Sequence, residues 1–576
     1  MTNKEIAKIL YEIADYLEME DVQFKPYAYK KAAITLENLE RDVREIYKEG
    51  GIKALNSIPG VGESIALKIE EYLKTGKIKY HQELKRKLPI NLEELVAIEG
   101  MGPKKAKVLY KKLRIKNIKD LEKAAKAHKI APLFGFGEKT EKNILQGIAF
   151  FKRSKGRFLL GEILPVAHNI IEKIGSLKEV RQISLAGSVR RKKETIGDVD
   201  ILVVCNEPER VMDFFVSMPG IVKIWGKGPT KSSVRTEQGF DIDLRVIAED
   251  SFGSALQYFT GSKEHNIATR KIAIKKGLKL NEYGVFKGNK KIAGRTEEDV
   301  YAVLGMRWMP PEIRENRGEI ELSLEGKLPR LVELKDIKGD LHCHSNWDGG
   351  KNSIEEMAQS AILRNYQYLG ITDHTKFLKI EHGLNERQLS QQKKEIDKLN
   401  SKFKKNGINF RIFHGAETNI LKDGRIDISD SALKRLDYAI AGIHSNFRMK
   451  KNKMTERIIS AMKNPYIKII SHPTGRILKK RDEYEIDIDR LLRAAKQFNV
   501  VLEINSYPER LDLNDINIKK AKEMGIKMVI NTDAHHKDQL RYMEFGVYQA
   551  RRGWAEKKDI INTKTFKQLK NFLRGS

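Results

Sequence analysis

The chain has 576 residues, of which 40% are hydrophobic and 32% charged, the balance of a soluble globular protein with about three to five domains. Lysine and arginine exceed the acidic residues by 30 charges, which favours a polyanionic partner such as nucleic acid. Two cysteines exclude a disulfide framework and a zinc ribbon, and without a long apolar run or signal peptide we expect a cytoplasmic protein with no membrane contact.

Residues 1–150 have apolar residues at helical spacing, interrupted by three glycine motifs. The motifs lie in "SIPGVGESIALKI", "AIEGMGPKKAKVL" and "LFGFGEKTEKNIL", each before a predicted helix. Such glycines let successive amide N–H groups converge on an anion, and the following helix dipole strengthens the site. We therefore predict helix-hairpin-helix modules that bind DNA phosphates without reading bases, through Gly60, Gly62, Gly100, Gly102, Gly135 and Gly137.

From about residue 155 to 250, apolar β-branched runs bounded by polar turns predict strands, and two of these strands carry aspartates. Asp198 and Asp200 are two positions apart on one predicted strand, so both carboxylates project from the same face. Paired carboxylates are costly unless a divalent cation lies between them. "FDIDLRV" offers a third carboxylate, Asp241 or Asp243, and spacing does not choose between them.

A phosphate-binding turn is predicted just before this acidic strand. "GS" at 187–188 forms a tight turn whose amides and hydroxyl suit a phosphate, and Arg190 and Arg191 add cationic donors. A phosphate turn followed by three carboxylates is the arrangement needed for two-metal phosphoryl transfer.

The motifs "GSVRRKKETIGDVDIL", "DIDLRV" and "YFTGSKEHNIATR" resemble the signature of family X DNA polymerases, the group of polymerase beta, over about residues 1–318. The resemblance implies two Mg²⁺ or Mn²⁺ ions bound by Asp198, Asp200 and Asp243, and it selects Asp243 because that carboxylate precedes "LRV". It also implies nucleotide contacts, with the triphosphate at Gly187, Ser188 and Arg191, the sugar at Tyr258, Phe259 and Gly261, and the minor groove at Asn266 and Arg270.

The N-terminal module resembles the small lyase domain of the same family. Lys68 falls at the position of the family's Schiff-base lysine, and it would be a nucleophile if its pKa fell well below about 10.4. A supporting family lysine is replaced here by Ser64, so lyase activity is a separate hypothesis.

After residue 337, seven strand-like runs alternate with helical segments, which predicts parallel strands joined by right-handed crossovers. The C-terminal strand ends of a parallel barrel meet on one face, so polar residues at those ends are predicted to form one cluster. Imidazole and carboxylate mixtures suit Zn²⁺, Mn²⁺ or Fe²⁺ rather than Mg²⁺ alone. The predicted ligands are His342, His344, His374, Glu417, His444, His472, Asp533 and His535.

"DLHCHS", "ITDHT", "GAETNI", "GIHS", "SHPTGR" and "TDAH" resemble the motifs of the PHP (polymerase and histidinol phosphatase) family over about residues 337–576. The resemblance implies a seven-stranded barrel with up to three metal ions, bridged by Glu417, that hydrolyses phosphoesters. Asp348 joins the predicted ligands, although the family's acidic residue usually stands one place later, at Gly349. Arg476 is a candidate for binding substrate phosphate, and Glu503 matches no ligand position.

The predicted fold is multidomain, α+β and α/β. The domains are expected at 1–80 (lyase-like, helix-hairpin-helix), 81–152 (fingers-type, helix-hairpin-helix), 153–250 (nucleotidyltransferase palm with a mixed β-sheet), 251–318 (nucleotide selection), 319–336 (linker) and 337–576 (a distorted seven-stranded (βα) PHP barrel).

The expected function is gap filling in base-excision repair, with a PHP activity that trims 3′ ends as a 3′–5′ exonuclease or removes 3′-blocking phosphoryl groups. The expected partners are gapped or nicked duplex DNA and deoxynucleoside triphosphates, and the expected state is a nucleoid-associated monomer. Two alternatives stay open: an RNA nucleotidyltransferase fused to a small-metabolite phosphatase, and a non-catalytic DNA-binding scaffold.

Overall fold

A computed structural model describes residues 2–37, 39, 42–96, 98, 101–154 and 156–575. The chain divides into two compact units, Met1–Lys155 with Lys479–Arg481 and Gly156–Leu478 with Asp482–Ser576. Within the described ranges, no helix combines the length and the apolar character needed to cross a bilayer.

The first unit is helical, as its periodicity predicts. Its helices are α1 Thr2–Met19, α2 Lys25–Glu37, α3 Val43–Asn56, α4 Glu63–Thr75, α5 Lys79–Lys87, α6 Leu92–Val96, α7 Pro103–Leu113, α8 Ile118–Lys126 and α9 Gly137–Ser154. The apolar face of α1, including Ile6, Leu10 and Leu17, is buried in one core that extends to α9. A kink at Gly50 and Gly51 interrupts α3, where both residues have non-helical dihedral angles.

The predicted glycine motifs stand directly before helices. Gly62 is the residue before α4, Gly102 is the residue before α7, and Gly137 begins α9. Gly60 and Gly135 have φ angles of 80° and 83°, in the left-handed region that glycine adopts without strain. The predicted Gly100 lies outside the described residues.

The second unit begins with the predicted palm. Its elements are β1 Phe158–Leu159, α10 Leu160–Gly175, β2 Val180–Leu185, α11 Gly187–Arg190, β3 Thr195–Ile196, β4 Asp198–Cys205, α12 Pro208–Val216, β5 Ile221–Lys227, β6 Lys231–Thr236 and β7 Asp241–Val246. The main sheet has the order β2-β4-β7-β6-β5, and β4 and β7 run parallel. The alternate apolar residues of β4 and β7, such as Val199, Ile201 and Ile242, are buried against α10 and α12.

The next segment carries helices around a small antiparallel sheet. Its elements are α13 Phe252–Thr260, α14 Lys263–Lys275, β8 Lys279–Asn281, β9 Gly284–Lys287, β10 Lys290–Ala293, α15 Glu297–Val303 and α16 Glu319–Leu324. Tyr301 is fully buried at the centre of its core. Helix α16 lies inside the segment expected as a linker, and its Glu319 is buried, where it accepts a 2.8 Å hydrogen bond from His265.

The C-terminal region alternates strands and helices. Its elements are β11 Gly339–Cys343, α17 Ile354–Leu363, β12 Tyr368–Ile371, α18 Glu386–Lys405, β13 Arg411–His414, β14 Glu417–Asn419, α19 Asp430–Leu433, β15 Ala439–Gly442, α20 Lys451–Met462, β16 Ile467–Ile470, α21 Ile488–Gln497, β17 Val501–Asn505, α22 Asp515–Glu523, β18 Met528–Asn531, α23 Met543–Arg552 and α24 Phe566–Gly575. Short 3₁₀ turns cover Glu249–Ser251, Pro311–Ile313, Leu334–Asp336, Lys379–Glu381, Lys537–Tyr542, Lys557–Asp559 and Ile561–Thr563.

All the strand pairs of this region are parallel, in two sheets of order β11-β12-β13 and β14-β15-β16-β17-β18. The third predicted run is split, because the chain leaves the first sheet after His414 and enters the second at Glu417. Single bridges, His374 with Glu417 and Cys343 with Ala534, connect the two sheets at both seams. The result is a distorted parallel barrel whose C-terminal strand ends face one side.

Palm and barrel share one packed body. Leu511 and Phe545, from the barrel side, are buried in the palm core. A Cβ on Gly161 would lie 2.6 Å from Cβ of Pro508, so α10 approaches the barrel closely at this point. The two regions are therefore in direct apolar contact.

Candidate active sites

The palm sheet brings the predicted carboxylates together. β4 and β7 are parallel neighbours whose register pairs Asp200 with Asp243 and Asp198 with Asp241. Residues two apart on a strand face the same side, so all four carboxylates share one face. Burial, together with the negative charges of Asp198 and Asp243, raises the pKa of Asp200 to about 6. Divalent cations relieve such repulsion, so this all-oxygen donor set fits Mg²⁺ or Mn²⁺.

Asp241 and Asp243 have different partners. Asp241 accepts two hydrogen bonds from Arg235, at 2.9 and 3.0 Å, and one from the indole of Trp225 at 2.9 Å. The hydrogen bond from Arg235 lowers the pKa of Asp241. Asp243 instead lies opposite Asp200 and accepts a 2.6 Å hydrogen bond from Ser233. Asp243 also lies 2.7 Å from Nζ of Lys231 and 3.2 Å from Nη2 of Arg245, so both aspartates have cationic partners. What distinguishes Asp243 is its place opposite the buried Asp200, whose pKa its charge raises.

The predicted phosphate turn lies against strand β4. Gly187 has a φ of 60°, and a Cβ at this position would lie 2.6 Å from Oδ2 of Asp200. Only glycine therefore allows the turn this close to the carboxylate. Ser188 is half-buried beside it, in α11. Arg191 donates through Nη1 to the carbonyl of Thr260, and its Nε lies 3.1 Å from Oε1 of Glu315.

The predicted sugar and minor-groove residues form one group at the end of α13 and the start of α14. The rings of Tyr258 and Phe259 meet edge to face at 5.1 Å. Asn266 donates a 2.7 Å hydrogen bond to the carbonyl of Tyr258, and the exposed Arg270 lies 5.9 Å from the Tyr258 ring. A Cβ on Gly261 would lie 3.2 Å from Nη1 of Arg191, which places this group beside the phosphate turn.

Lys68 lies on α4 in the first unit. Its Nζ is 3.1 Å from Oγ of Ser64 and 5.2 and 5.9 Å from the ring centres of Tyr80 and Tyr29. Burial lowers the pKa of Lys68, and Glu71 opposes that effect. A lowered pKa increases the neutral amine fraction that a Schiff base requires.

Glu417 is the centre of the barrel site. Its carboxylate lies within 3.6 Å of imidazole nitrogens of His342, His344, His374, His444 and His472. Burial by itself would raise the pKa of Glu417, but the surrounding histidines hold it well below its usual range. Asp533 lies 3.3 Å from Nε2 of His344, and the ring of His535 stacks on that of His344 at 4.0 Å.

These donors fit a metal cluster. Among the described residues, several ring nitrogens and one Glu417 oxygen are buried and make no hydrogen bond: His342 Nε2, His344 Nε2, His374 Nδ1, His444 Nε2, His472 Nδ1 and Glu417 Oε2. Buried polar atoms without partners are costly unless an ion satisfies them. The described residues contain four overlapping groups of histidine and acidic side chains in which the possible ligand atoms lie within 4.8 Å of one another. All four groups are in the barrel, and none is in the palm.

Asp348 also belongs to this cluster. It accepts hydrogen bonds from Nδ1 of His344 at 2.8 Å and from the amide of His374 at 2.9 Å. The hydrogen bond to Nδ1 directs the opposite nitrogen of His344 towards Glu417 and Asp533, as a carboxylate behind a metal ligand does. At the neighbouring position, a Cβ on Gly349 would lie 2.1 Å from Oε2 of Glu381, so the Glu381 carboxylate occupies that space.

Four further residues orient the cluster but were not predicted. Glu503 accepts from Nδ1 of His342 at 2.7 Å, and Asn419 accepts from Nδ1 of His444 at 2.8 Å. Ser471 donates to Glu417 at 2.7 Å, and Asp373 lies within the set formed with His344 and Asp348. These residues stand in or next to barrel strands, and that position was the only signal in the sequence that pointed to them.

A cavity of about 220 Å³ opens beside the cluster, lined by Ile477, Tyr507, Glu509, Arg510, Asp533 and His535. Its cation is Arg510, which was not predicted and whose Nε lies 3.6 Å from Oδ2 of Asp533. Arg476, the candidate phosphate ligand, instead donates to the carbonyl of Arg510 at 3.0 Å and to the carboxylate of Glu194.

Comparison with known families matches separate parts of the chain. The matching families are a helix-hairpin-helix domain at residues 1–78, a SAM-like helix-hairpin-helix tandem at 92–149, a DNA polymerase beta thumb at 255–315 and a PHP domain at 340–507. These matches confirm that the chain contains helix-hairpin-helix, polymerase beta and PHP domains. They also imply dependence on divalent metal ions, DNA binding and nucleotide substrates.

Curated relatives match either the whole chain or a part of it. The DNA polymerase/3'-5' exonuclease PolX of Bacillus subtilis is 39% identical over all of both chains. A probable phosphatase of Caldanaerobacter subterraneus is 33% identical over 34% of this chain and 75% of its own length. One of Thermoanaerobacter sp. is 30% identical over 41% of this chain and 94% of its own length. With its full-length similarity, its polymerase beta thumb and its PHP domain, the chain belongs to the PolX family of family X DNA polymerases.

Proposed function

We propose that this chain is a template-directed DNA polymerase that fills short gaps in duplex DNA, and that its PHP domain shortens 3′ ends as a 3′–5′ exonuclease. The observation that carries the proposal is full-length similarity to a DNA polymerase/3'-5' exonuclease, in a chain that holds two separate sites of the required chemistry. One site is the carboxylate trio of the palm, and the other is the imidazole and carboxylate cluster of the barrel.

In the palm, the trio of Asp198, Asp200 and Asp243 would hold two Mg²⁺ or Mn²⁺ ions. Bound there, such ions stabilise the attacking and leaving oxygens of nucleotidyl transfer. Asp243, oriented by the hydrogen bond from Ser233, would help to activate the primer 3′-hydroxyl. The Gly187 turn, which lies against Asp200, would bind the triphosphate next to that hydroxyl.

The remaining nucleotide contacts would come from α11, α13, α14 and the turn between α13 and α14. Gly187, Ser188 and Arg191 would hold the triphosphate, while Tyr258 and Phe259 would form the wall against the sugar. Asn266 is held by Tyr258 and Gln257, at 2.7 and 2.8 Å, and would face the minor groove with Arg270. Contacts to the phosphates position the nucleotide but do not read its base. Base pairing with the template would therefore select the nucleotide.

In the barrel, the eight predicted ligands would hold up to three Mn²⁺, Zn²⁺ or Fe²⁺ ions around Glu417, and Asp348 would orient His344 from behind. Held there, such ions would supply the nucleophile for phosphodiester hydrolysis. Glu503 and Asn419 would fix the tautomers of His342 and His444, because each accepts from Nδ1 of its histidine. Arg510 lines the cavity beside the cluster and would bind the phosphate of the 3′-terminal nucleotide.

The polymerase assignment is tested with Asp243→Ala on a duplex containing a one-nucleotide gap. Extension should fall at least about 10³-fold, because the third carboxylate is lost, while binding to the gapped duplex is retained. Asp241→Ala is the matched control: it lies on the same strand and face, is paired with Arg235, and should retain most of the extension. Unchanged extension in Asp243→Ala would remove the polymerase assignment.

The exonuclease assignment is tested with the double variant His342→Ala, His344→Ala. Shortening of a 3′ end should disappear while gap filling continues, since the two sites have separate residues. If shortening survives this variant, the activity belongs to another part of the chain. A primer bearing a 3′-phosphate, assayed in parallel, separates exonuclease action from removal of a blocking group.

The finer biological role is also a proposal. Gap filling and 3′-end trimming are steps that base-excision repair requires, and both would act on one DNA end. The Lys68 amine, whose pKa is lowered, would remove a 5′-deoxyribose phosphate in the same pathway. The proposed partners are gapped or nicked duplex DNA and deoxynucleoside triphosphates. The proposed state is a monomer associated with the nucleoid in the cytoplasm, which the 30 excess positive charges favour.

A further inference from the structure

The loop that follows the phosphate turn is held by the barrel at successive residues. This loop, residues 191–194, leads from α11 towards the catalytic strand β4. The carbonyl of Arg191 accepts a 2.8 Å hydrogen bond from Nη1 of Arg552, at the end of barrel helix α23. One residue on, Nζ of Lys192 lies 4.6 Å from the ring centre of Tyr548, on the same helix.

The other end of the loop is held by a second part of the barrel. Glu194 accepts from both Nη atoms of Arg476, which follows β16, and the Nη1 to Oε1 distance is 3.3 Å. Arg476 is itself fixed by a 3.0 Å hydrogen bond from its Nε to the carbonyl of Arg510. Between these two anchors, Lys192 has a φ of 53°, a left-handed conformation that few non-glycine residues adopt, so surrounding contacts must hold it.

Arg552 is coupled to the side chain of Arg191 as well as to its backbone. Glu315 lies 3.2 Å from Nη1 of Arg552 and 3.1 Å from Nε of Arg191, so one carboxylate is shared by both arginines. Burial would raise the pKa of Glu315, but Arg552, Arg191 and Lys193 hold it below its usual range. Asp515 anchors the other side of Arg552, at 2.6 Å, and Arg552 is only 3% exposed.

The charges of Glu315, Arg191 and Arg552 affect how the turn would bind a nucleotide. Glu315 competes with any triphosphate for the guanidinium of Arg191. Arg552 neutralises part of that carboxylate and simultaneously fixes the carbonyl of Arg191. Loss of Arg552 would leave Glu315 paired mainly with Arg191, and it would release the backbone of the turn.

We propose that the PHP barrel positions the triphosphate-binding turn of the polymerase, with Arg552 as the principal positioning residue and Tyr548 as the second. The inference rests on the proposed function of Arg191 in binding triphosphate. The barrel is then a structural part of the nucleotide site in addition to carrying its own hydrolytic cluster. None of these positioning residues belongs to the metal cluster of the barrel.

The experiment measures gap filling at varied deoxynucleoside triphosphate concentration for the full chain and for Arg552→Ala, Arg552→Lys and Tyr548→Ala. Arg552→Ala should raise the KM for the nucleotide about tenfold, within the usual range for coupled sites, and change kcat much less. Arg552→Lys keeps the charge and should recover part of the loss. Tyr548→Ala should raise KM by a smaller factor, and 3′-end shortening should be unaffected in all three.

The matched control is Lys402→Ala, which removes a barrel ion pair with Glu355 on a solvent-exposed helix face. It should leave KM unchanged. An unchanged KM in Arg552→Ala, in protein with the wild-type melting temperature, would overturn the proposal. So would parallel loss of kcat, of 3′-end shortening and of melting temperature, since that is the result of a merely structural role. If the wild-type chain fails to extend primers, the polymerase assignment itself is wrong.

Discussion

Replacing Asp200 with asparagine should stabilise the metal-free protein while abolishing its polymerase activity. Asp200 is surrounded by Asp198 and Asp243, and burial together with their charges raises its pKa to about 6. Asparagine is close to aspartate in size and carries no charge. The substitution therefore removes the repulsion with little change in packing, and it also removes a carboxylate needed to bind cations.

The magnitude follows from the pKa of Asp200. An aspartate whose pKa is about 6 in the folded chain, against 3.8 in the absence of neighbours, costs about 3 kcal/mol when ionised, at about 1.36 kcal/mol per pH unit. The folded state binds this proton more tightly than the unfolded state does. The contribution of Asp200 to stability is therefore most favourable below pH 4, declines as the pH rises from about 4 to about 6, and is about 3 kcal/mol less favourable above that. Asp200→Asn should gain about 1–3 kcal/mol at pH 8 and about half of that at pH 5.

The assay is thermal unfolding in a chelator between pH 5 and pH 8, followed by titration with Mg²⁺ or Mn²⁺. Added cations should stabilise the wild type by mass action and the variant much less, which reduces or reverses the difference between them. Asp241→Asn is the control on the same face of the sheet. Since Arg235 lowers the pKa of Asp241, its loss should destabilise the fold, by at most about 1 kcal/mol for so exposed a pair.

Two results would refute this reasoning. The first is an Asp200→Asn protein no more stable than the wild type at pH 8 in the chelator. The second is an equal gain from Asp241→Asn, because the effect would then come from general negative charge rather than from the trio.

Three other outcomes are expected. Glu417→Gln should lower the affinity of the barrel cluster for Mn²⁺ by more than tenfold, which elemental analysis of the purified protein should show as a lower metal content and thermal unfolding as a smaller stabilisation by Mn²⁺; Glu355→Gln, on the exposed surface of the barrel, should change neither. Borohydride should trap wild-type protein on DNA carrying a 5′-deoxyribose phosphate, and Lys68→Ala should lose this adduct while Lys74→Ala, on the same helix, keeps it; equal trapping would place the nucleophile elsewhere. Affinity for gapped duplex should fall steeply and linearly on a log–log plot against salt, and a flat response would mean that the excess of positive charge does not contact phosphates.

The local arrangement of both sites was predictable from short stretches of sequence. The spacing of Asp198 and Asp200 placed both carboxylates on one face of a strand, because side chains alternate along β-structure. The glycine motifs predicted helix starts, and Gly62 and Gly102 stand directly before α4 and α7. The strand-end histidines predicted a metal-binding face, because parallel strands end on the same side of a barrel. These features depend on a few consecutive residues and a fixed backbone period.

Only the tertiary structure decided which distant side chains meet. The register of β4 with β7 sets Asp243 opposite Asp200 and Asp241 opposite Asp198, a pairing that the spacing of the sequence did not show. Glu503 matched no recognised position, yet the pairing of β17 and β18 in the barrel brings it to His342, 161 residues away.

The contact of Arg552 with Arg191 spans 361 residues and links two domains that the sequence presents as separate modules. A sequence period extends over a few residues, whereas these contacts are set by which strands and helices become neighbours. Their chemistry is present in the sequence, but their partners are chosen only when the chain packs.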